Sequence, residues 1–218
     1  MENIREVLER ITVNTQSSVR LTTSAGSCAK TVYVDPLGIP GEPHDADLIL
    51  VTHSHGDHFS PADIEKIQKP GTVLVCPEQM KQAGALSVVP GKDYEAAGVR
   101  FSTVRAYNNL PKIFHPKKND WVGYVVGTEE GALVYVAGDT DATKDAAAVH
   151  CDIAVIPVGG KYTMTAEEAA ELVNKIAPKA AIPTHYGTIV GKPSDGDLFA
   201  AGVKDGILVE KKLVFPAE

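Results

Sequence analysis

Short apolar runs, separated by turns rich in glycine, proline and aspartate, recur along the chain and predict a protein built mainly from β-strands. Residues 48–52 form a continuous apolar run, which is typical of a strand that is buried on both faces. The run at residues 31–34 is followed by Asp35 and Pro36, and a proline does not continue a strand ladder. The predicted strands cover residues 19–21, 31–34, 48–52, 72–76, 87–89, 94–96, 99–106, 121–127, 132–137, 152–157, 180–183 and 207–214.

Helical periodicity and capping residues favour five helices between these strands. The predicted helices cover residues 1–10, 61–68, 77–83, 165–177 and 195–201. The segment 165–177 has the strongest signals, because Thr165 and Glu168 predict a capping box and Pro178 ends the helix. Both halves of the chain run through strands first and then alternate strands with helices. Two sheets packed face to face with helices outside would cover both faces of each sheet, so the pattern indicates an α/β (α+β) protein in four layers. We expect one domain over residues 1–218.

Composition and charge exclude several classes of protein. The chain has 218 residues, of which 44% are hydrophobic and 22% charged, and its formal net charge is −7. This apolar content supports a buried core and excludes a disordered chain. No run reaches the eighteen or so apolar residues of a membrane span, and the charged N-terminus does not resemble a signal peptide. The acidic balance argues against nucleic-acid binding. The three cysteines have no metal-type spacing and fit a reducing compartment, so we expect a cytoplasmic protein.

Three histidines and an aspartate within six residues carry the clearest chemical signal: His53, His55, Asp57 and His58. They follow the predicted strand at residues 48–52, and loops at the carboxyl ends of buried strands are common functional sites. Imidazole and carboxylate are frequent ligands of divalent metals. His53 and His55 are two residues apart in an extended segment, so their side chains can point the same way. One short segment therefore offers two ligands to one ion and two to a neighbouring ion.

Two further strand ends carry residues of the same type. Asp139 follows the predicted strand at residues 132–137, where a carboxylate can lie between two ions. His185 follows the predicted strand at residues 180–183 and adds one more imidazole. Because all three segments share this strand-end position, we expect them to form one metal centre.

These segments resemble the metallo-β-lactamase superfamily. Its motif His-x-His-x-Asp-His is matched at residues 53–58, followed by Gly-Asp-Thr at residues 138–140 and by His185. Within the superfamily, the chain is similar to small bacterial and archaeal metal-dependent hydrolases. The added similarity lies in residues 108–124, 157–164 and 183–187. The resemblance covers residues 11–215 and implies an αββα sandwich with the site at one edge of the two sheets.

The resemblance also implies two divalent metal ions, Zn²⁺ first, with Mn²⁺ or Fe as alternatives. The ligands that it implies for the first ion are His53, His55 and a third histidine. Those for the second ion are Asp57, His58 and His185. Asp139 would bridge the ions, with a hydroxide between them. Two cations can lower the pKa of a shared water to near neutrality and can hold the substrate oxygen that becomes charged.

The third histidine of the first ion is where this sequence departs from its relatives. Many relatives carry it close to the position of Asn108. His115 is the one histidine in this region, and it lies 24 residues before Asp139, a spacing typical of other superfamily members. We therefore expect His115 to bind metal and Asn108 to affect only substrate handling. An outer or substrate-facing position for His115 stays open.

Other residues are candidates for catalysis or positioning. Asp57 would orient the hydroxide as well as bind metal. Lys161, in the loop before the helix at residues 165–177, and Tyr186 are further catalytic candidates. Asp35, at a predicted strand end, is expected to orient a ligand histidine.

These features together predict a binuclear metal-dependent hydrolase that acts on a small ester, lactone or phosphodiester. The expected partner is a small-molecule substrate, and a homo-oligomer is compatible with the sequence. One alternative is a mononuclear iron oxidoreductase of the dioxygenase type, since two histidines and one aspartate suffice for that chemistry. Another is a non-catalytic metal-binding regulator, because fold does not dictate function. Diiron relatives carry a carboxylate where His55 stands, which argues against that class.

Overall fold

The computed structural model describes residues 3–24, 26 and 28–215. Within this part of the chain, thirteen strands and five α-helices are present. The strands are β1 (Ile11–Val13), β2 (Val19–Thr22), β3 (Thr31–Val34), β4 (Ala46–Leu50), β5 (Gln68–Pro77), β6 (Leu86–Val88), β7 (Asp93–Ala96), β8 (Val99–Arg105), β9 (Val122–Gly127), β10 (Leu133–Val136), β11 (Ile153–Pro157), β12 (Ala180–Thr184) and β13 (Leu208–Val209). The helices are α1 (Ile4–Glu9), α2 (Pro61–Ile67), α3 (Lys144–Ala147), α4 (Ala166–Ile176) and α5 (Asp195–Gly202). None of these helices has the length and apolar character that crossing a bilayer requires.

The strands form two sheets, one from each half of the chain. The first has the order β1-β2-β3-β4-β5-β6, and the second has the order β13-β12-β11-β10-β9-β8-β7. In both sheets the earlier strands are antiparallel and the later ones are parallel: β3 to β6 in the first sheet and β10 to β13 in the second. Carboxyl ends of parallel strands meet at one edge of a sheet, so the loops that follow β3, β4, β10 and β12 are brought together.

The alternation of side chains along β4 shows how the layers pack. Leu48 and Leu50 belong to the main core, which contains residues of both sheets. Ile49 belongs to a second apolar cluster with Ile64 and Ile67 of α2, so α2 covers the outer face of the first sheet. On the second sheet, α4 contacts β11 and α5 contacts β12. This arrangement confirms the four-layer αββα sandwich.

Helix boundaries follow the capping residues that the sequence supplies. The Thr165 hydroxyl accepts a hydrogen bond from the Glu168 backbone amide, and the Glu168 carboxylate accepts one from the Thr165 amide, so the predicted capping box is present. Ala177 adopts a left-handed conformation and ends α4 before Pro178. Ser60 caps α2, with Pro61 in its first turn.

Several predicted elements differ from the structure. The helix predicted at residues 77–83 is wrong: β5 continues to Pro77, and a single 3-10 turn, Glu78–Met80, ends at Lys81, whose φ is 50°. The helix predicted at residues 1–10 ends at Glu9, and β1 follows it at once; residues 1–2 lie outside the described part. Of the strand predicted at residues 207–214, only β13 forms, because it pairs with just two residues of β12. The short helix α3 was not predicted.

Candidate metal centre

Five segments of the chain bring their ligand-type side chains to one edge of the sandwich. Four of them follow the strands β3, β4, β10 and β12, and the fifth is the connection between β8 and β9. The side chains concerned are Asp35 after β3, His53, His55, Asp57 and His58 after β4, His115 between β8 and β9, Asp139 after β10 and His185 after β12. Parallel strand ends in two facing sheets therefore produce the cluster.

A close backbone approach at Gly138 places Asp139 next to the segment after β4. Gly138 has a φ of +62°, and a Cβ built there would lie 2.9 Å from the Cβ of Thr52. A larger residue would be strained twice, by its conformation and by this contact. The Gly-Asp pair thus has a structural reason: glycine permits the approach, and aspartate supplies the carboxylate.

The first ligand group consists of His53, His55 and His115. Three of their ring nitrogens, one from each residue, lie within 4.8 Å of one another. Nε2 of His53 is 3.1 Å from Nδ1 of His55. The Trp121 ring packs against all three imidazoles, with centroid distances of 4.8, 4.9 and 5.6 Å to His53, His55 and His115. The structure thus brings His115 to His53 and His55, as expected for a third ligand.

The second ligand group consists of Asp57, His58 and His185, whose candidate ligand atoms also lie within 4.8 Å of one another. Oδ2 of Asp57 is 3.3 Å from Nε2 of His185 and 3.8 Å from Nε2 of His58. His185 has a φ of 57°, and its backbone amide donates to the carbonyl oxygen of Gln16. This left-handed turn directs the imidazole toward the cluster at the end of β12.

Asp139 lies between the two groups and contacts both. Its Oδ2 atom is 3.2 Å from Nε2 of His115 and 3.3 Å from Nε2 of His185, and its Oδ1 atom is 3.3 Å from Nε2 of His58. The carboxyl group is buried. Burial alone would raise the pKa of Asp139, but the facing imidazoles of His185, His58 and His115 lower it well below its usual range. Asp139 therefore remains a carboxylate in the middle of the cluster.

Hydrogen bonds behind the ligands define which ring nitrogen of His53 and His58 is free. Asp35 accepts from Nδ1 of His58 at 2.7 Å, from the Thr52 hydroxyl at 2.6 Å and from the Thr52 amide at 2.7 Å. Because the Thr52 hydroxyl proton is used on Asp35, its oxygen accepts from Nδ1 of His53 at 2.9 Å. In their neutral forms, both histidines then present an unprotonated Nε2 to the cluster. The position of Asp35 agrees with the orienting role expected for it.

Asn108 plays the corresponding part for His115. Its Oδ1 atom accepts hydrogen bonds from Nδ1 of His115 at 3.1 Å and from the His115 amide at 2.9 Å, and its Nδ2 donates to the Tyr162 carbonyl at 2.9 Å. The amide oxygen therefore points to the imidazole and not to the cluster. This contact argues against the expectation that Asn108 affects only substrate handling, because Asn108 orients the His115 ring.

Unpaired buried atoms test whether these residues suit a metal ion. Four atoms that face the cluster are buried without a hydrogen-bond partner among the described residues: Nε2 of His58, His115 and His185, and Oδ1 of Asp139. Leaving such atoms unpaired costs about 1–3 kcal/mol each, so a native protein rarely leaves four together. Imidazole nitrogens and carboxylate oxygens are the donors that divalent ions such as Zn²⁺ take. The cluster therefore fits a metal centre.

A cavity of about 320 Å³ opens over the cluster. Its lining residues are His55, Asp57, Phe114, His115, Asp139, Tyr162 and Ile189. Three of these belong to the ligand groups, Asp139 lies between the groups, and the other three are apolar or aromatic. The metal-binding side is therefore accessible to a small molecule.

Two residues predicted to be catalytic lie elsewhere. Tyr186 is buried against Phe215, and its hydroxyl packs against Gly196 of α5, where a Cβ would clash with it. Because successive side chains point in different directions, His185 enters the cluster while Tyr186 enters the core. Lys161 is exposed, and its ammonium lies 5.0 Å from the Tyr162 ring centroid. The structure does not bring either side chain to the ligands, which argues against the catalytic roles expected for them.

The sequence missed the residues that support the ligands from the β8–β9 connection. Asn108 is expected from the sequence only near the substrate, and the contacts of the Trp121 ring with the three histidines are not predicted. Lys112 was not singled out as part of the site. Its ammonium bonds to Oδ1 of Asp141 at 2.9 Å and to the Thr163 carbonyl at 2.6 Å, which ties this connection to two neighbouring loops. No local motif signals these contacts, because they join irregular segments, and the partners of Lys112 are 29 and 51 residues away in the chain.

Comparison with known proteins gives consistent matches over most of the chain. The family model described as the beta-lactamase superfamily domain matches residues 10–185. A UPF0173 metal-dependent hydrolase from Methanopyrus kandleri is 33% identical over 210 residues, which cover 86% of this chain and 90% of the relative. A UPF0173 metal-dependent hydrolase from Methanosphaera stadtmanae is 32% identical over 189 residues and 78% of each chain.

Solved structures show the same similarity. A crystal structure from Parabacteroides distasonis superposes with a TM-score of 0.79 at 30% identity and covers 94% of this chain and 93% of that one. Igni18, a metallo hydrolase from Ignicoccus hospitalis, superposes with a TM-score of 0.70 at 21% identity over 93% of this chain and 94% of that one. The second match demonstrates a shared fold.

Proposed function

Because the chain belongs to the beta-lactamase superfamily and, within it, to the UPF0173 metal-dependent hydrolases, we propose that it hydrolyses a small ester, lactone or phosphodiester at a centre of two divalent metal ions. The observation that supports this most directly is the position of Asp139. Its carboxylate lies within 3.3 Å of His115 in the first ligand group and of His58 and His185 in the second. One side chain can therefore serve two ions.

Each ligand group would hold one ion. The first would be bound by His53, His55 and His115. The second would be bound by Asp57, His58 and His185. Asp139 would bind both. When present, such a pair of cations supplies a nucleophile from water near neutral pH and stabilises the negative charge that develops on the substrate oxygen. The mixed imidazole and carboxylate set suits Zn²⁺ first and also Mn²⁺ or Fe.

Asp57 lies beside His185 and is more exposed than Asp139, the other carboxylate that lines the cavity. Its side chain is partly exposed and lines the cavity. Burial alone would raise the pKa of Asp57, but the His185 imidazole 3.3 Å away and the charge of His58 lower it to about 2. A group with so low a pKa stays ionised at neutral pH. Asp57 therefore orients the attacking water by accepting a hydrogen bond from it. Because its pKa is so low, Asp57 is a weak base for the proton of that water.

The remaining polar residues hold the ligands in their binding form. Asp35 keeps the proton of His58 on Nδ1, and Asn108 does the same for His115. An imidazole that is fixed in this way loses less freedom when it binds metal. These positioning residues prepare the site for the metal without contacting the substrate.

A metal and activity assay tests the proposed function. The protein is stripped with a chelator, loaded with Zn²⁺ or Mn²⁺, and assayed on p-nitrophenyl esters, a lactone series and bis(p-nitrophenyl) phosphate. We expect hydrolysis of at least one class, which is lost on chelation and restored by metal. His150→Ala, which removes an exposed histidine outside the cluster, should retain activity, whereas Asp139→Ala should not. Protein that holds two ions and hydrolyses none of the panel would contradict the proposal.

Metal counting, combined with measurements of turnover and dioxygen consumption, separates this proposal from the two alternatives. A mononuclear iron oxidoreductase would bind one iron per chain and consume dioxygen. A metal-binding regulator would bind ions without turnover of any substrate. The proposed hydrolase binds two ions and needs no dioxygen.

A further inference from the structure

The cavity over the ligands has two chemically different sides. His55, Asp57, His115 and Asp139 form its metal-binding side. Phe114, Tyr162 and Ile189, which come from three different loops, form its apolar side. When the reacting group of a substrate lies among the ligands, the part of the substrate next to that group therefore lies against apolar side chains.

Two of these three side chains are exposed, and the third, Tyr162, is partly buried. Phe114 is 45% exposed and Ile189 is 59% exposed. Of the seven large apolar residues that are exposed in the described part of the chain, four lie in the two loops beside the cavity: Leu110, Ile113, Phe114 and Ile189. Exposed apolar surface concentrated at a cleft is typical of a binding site.

Two residues of the apolar side, Phe114 and Tyr162, are held in position relative to the ligands. Phe114 directly precedes the ligand His115, and its ring meets the Tyr162 ring edge-on, with centroids 4.7 Å apart. Asn108 bonds to His115 on one side and to the Tyr162 carbonyl on the other. The distance between the metal-binding side and the apolar side is therefore set by direct contacts, which is the preorganisation that selective binding needs.

No lysine or arginine is among the residues that line the described cavity. The ammonium of Lys112 is taken up by Asp141 and the Thr163 carbonyl. Lys161 is exposed and lies against Tyr162. Sites for phosphate groups usually present arginine or lysine side chains to the anionic oxygens. This lining favours a neutral substrate over a phosphodiester.

We propose that the site is selective for neutral carboxylic esters or lactones with an unbranched apolar arm, and that this arm lies against Phe114, Tyr162 and Ile189. The inference rests on the proposed hydrolase function and narrows its substrate class. In the reaction, the oxygen of one water bonds to the acyl carbon, the acyl–oxygen bond breaks, and a proton from the water goes to the leaving alkoxide. The products are a carboxylic acid and an alcohol from an ester, and a single hydroxy acid from a lactone.

A series of p-nitrophenyl esters from acetate to octanoate tests the selectivity for an apolar arm. Each added methylene that reaches the apolar side should raise kcat/KM by about twofold, so hexanoate should exceed acetate by roughly tenfold or more. In Ile189→Asn and Phe114→Ala this dependence on chain length should largely disappear. Leu198→Asn is the matched control, because Leu198 is 49% exposed on α5 and is not among the residues that line the cavity. It should retain the full dependence.

Binding of alkyl hydroxamates provides a readout that does not need turnover. Their headgroup binds metal, and their alkyl chain can reach the apolar side. Calorimetry with zinc-loaded protein should show affinity rising with chain length in the unmodified protein and in Leu198→Asn, but not in Ile189→Asn. Hydroxamate affinity that does not change with chain length would overturn the apolar subsite. Faster cleavage of bis(p-nitrophenyl) phosphate than of every ester would overturn the selectivity for neutral substrates.

The two readouts separate failure of this inference from failure of the proposed function. If hydroxamate affinity rises with chain length but no ester, lactone or phosphodiester is cleaved, the apolar subsite is supported and the hydrolase proposal is wrong. If esters are cleaved at rates that are independent of chain length, the hydrolase proposal is supported and the subsite is wrong.

Discussion

Asn108 and His115 are joined by three hydrogen bonds. The backbone amide of Asn108 donates to the His115 carbonyl at 2.8 Å. The side-chain oxygen Oδ1 of Asn108 accepts from the backbone amide of His115 at 2.9 Å and from its Nδ1 at 3.1 Å. This closed pair turns Nε2 of His115 toward Asp139, 3.2 Å away. A side chain that points away from the cluster therefore determines how the candidate ligand nitrogen of His115 is presented to it.

Removing the amide of Asn108 should weaken metal binding at the first ligand group. In Asn108→Ala, Nδ1 of His115 loses its acceptor, and the ring can rotate or carry its proton on Nε2. We expect the affinity to fall by roughly tenfold, the lower end of the range for residues behind metal ligands. Chelator competition measures it. Asn109→Ala is the matched control, since Asn109 is exposed and adjacent, and its affinity should not change. An unchanged affinity in Asn108→Ala would restore the view that Asn108 affects only substrate handling.

His115→Ala tests the ligand itself. Without the third imidazole, the first group keeps only His53 and His55, so we expect metal affinity there to fall by at least about tenfold and further than in Asn108→Ala. Trp121 fluorescence can report on this group because its ring packs against all three imidazoles. His150→Ala serves as the control for loss of a histidine. If Asn108→Ala proved more damaging than His115→Ala, His115 would not be the ligand.

Most of the ligand set could be predicted because its signal is local in the chain. His53, His55, Asp57 and His58 lie within six residues that follow a buried strand, and that context is visible in the sequence. The chemistry of imidazole and carboxylate does not depend on the rest of the fold. The αββα arrangement followed in the same way, from strand patterns that repeat in both halves.

The supporting contacts could not be predicted, because they join irregular segments. Asn108 and Tyr162 are 54 residues apart in the chain, and neither lies in a strand or helix whose period would reveal its direction. Tyr186 shows the opposite error: its neighbour His185 belongs to the cluster, but the left-handed conformation at His185 sends the next side chain toward α5. Adjacency in sequence was a poor guide at this turn.

Asp139 should determine whether two ions bind together. Reconstituted protein should hold close to two metals per chain. Asp139→Ala should lose at least one, because no other carboxylate contacts His115, His58 and His185 at once in the described residues. Elemental analysis after gel filtration gives the count. Asp205→Ala, at an exposed position, should retain both ions. Two retained ions with full activity in Asp139→Ala would rule out bridging by this residue.

Asp57→Asn should reduce turnover in protein that remains folded. The substitution preserves shape, but it removes the charge beside His185 and replaces one of the two acceptor oxygens with an NH2 donor. We expect kcat to fall by roughly a hundredfold or more. Turnover is compared at equal metal content, so that loss of an ion is not mistaken for loss of catalysis. Near-normal kcat at full occupancy would assign the orienting role to another group.

Acidification should release the second ion before the first. Protons compete with metal for imidazole nitrogens, so the group whose histidine binds protons more tightly loses its ion at higher pH. Burial alone would lower the pKa of His58, but the carboxylates of Asp139 and Asp35 raise it well above its usual value. Burial lowers the pKa of His53 well below its usual value and also lowers that of His55. The proton therefore competes strongly in the second group and weakly in the first.

Two signals recorded during one pH titration can establish this order. Metal content, measured after equilibrium dialysis at successive pH steps, should fall by about one ion per chain while Trp121 fluorescence still has its metal-loaded value. The fluorescence should change only when the remaining ion, bound by the first ligand group, also leaves. Trp121 contacts the three histidines of that group, His53, His55 and His115. Metal-free protein titrated in parallel corrects for any direct effect of pH on the indole. A fluorescence change that accompanies the first ion released would reverse the assignment, and the carboxylates around His58 would then favour the metal over the proton.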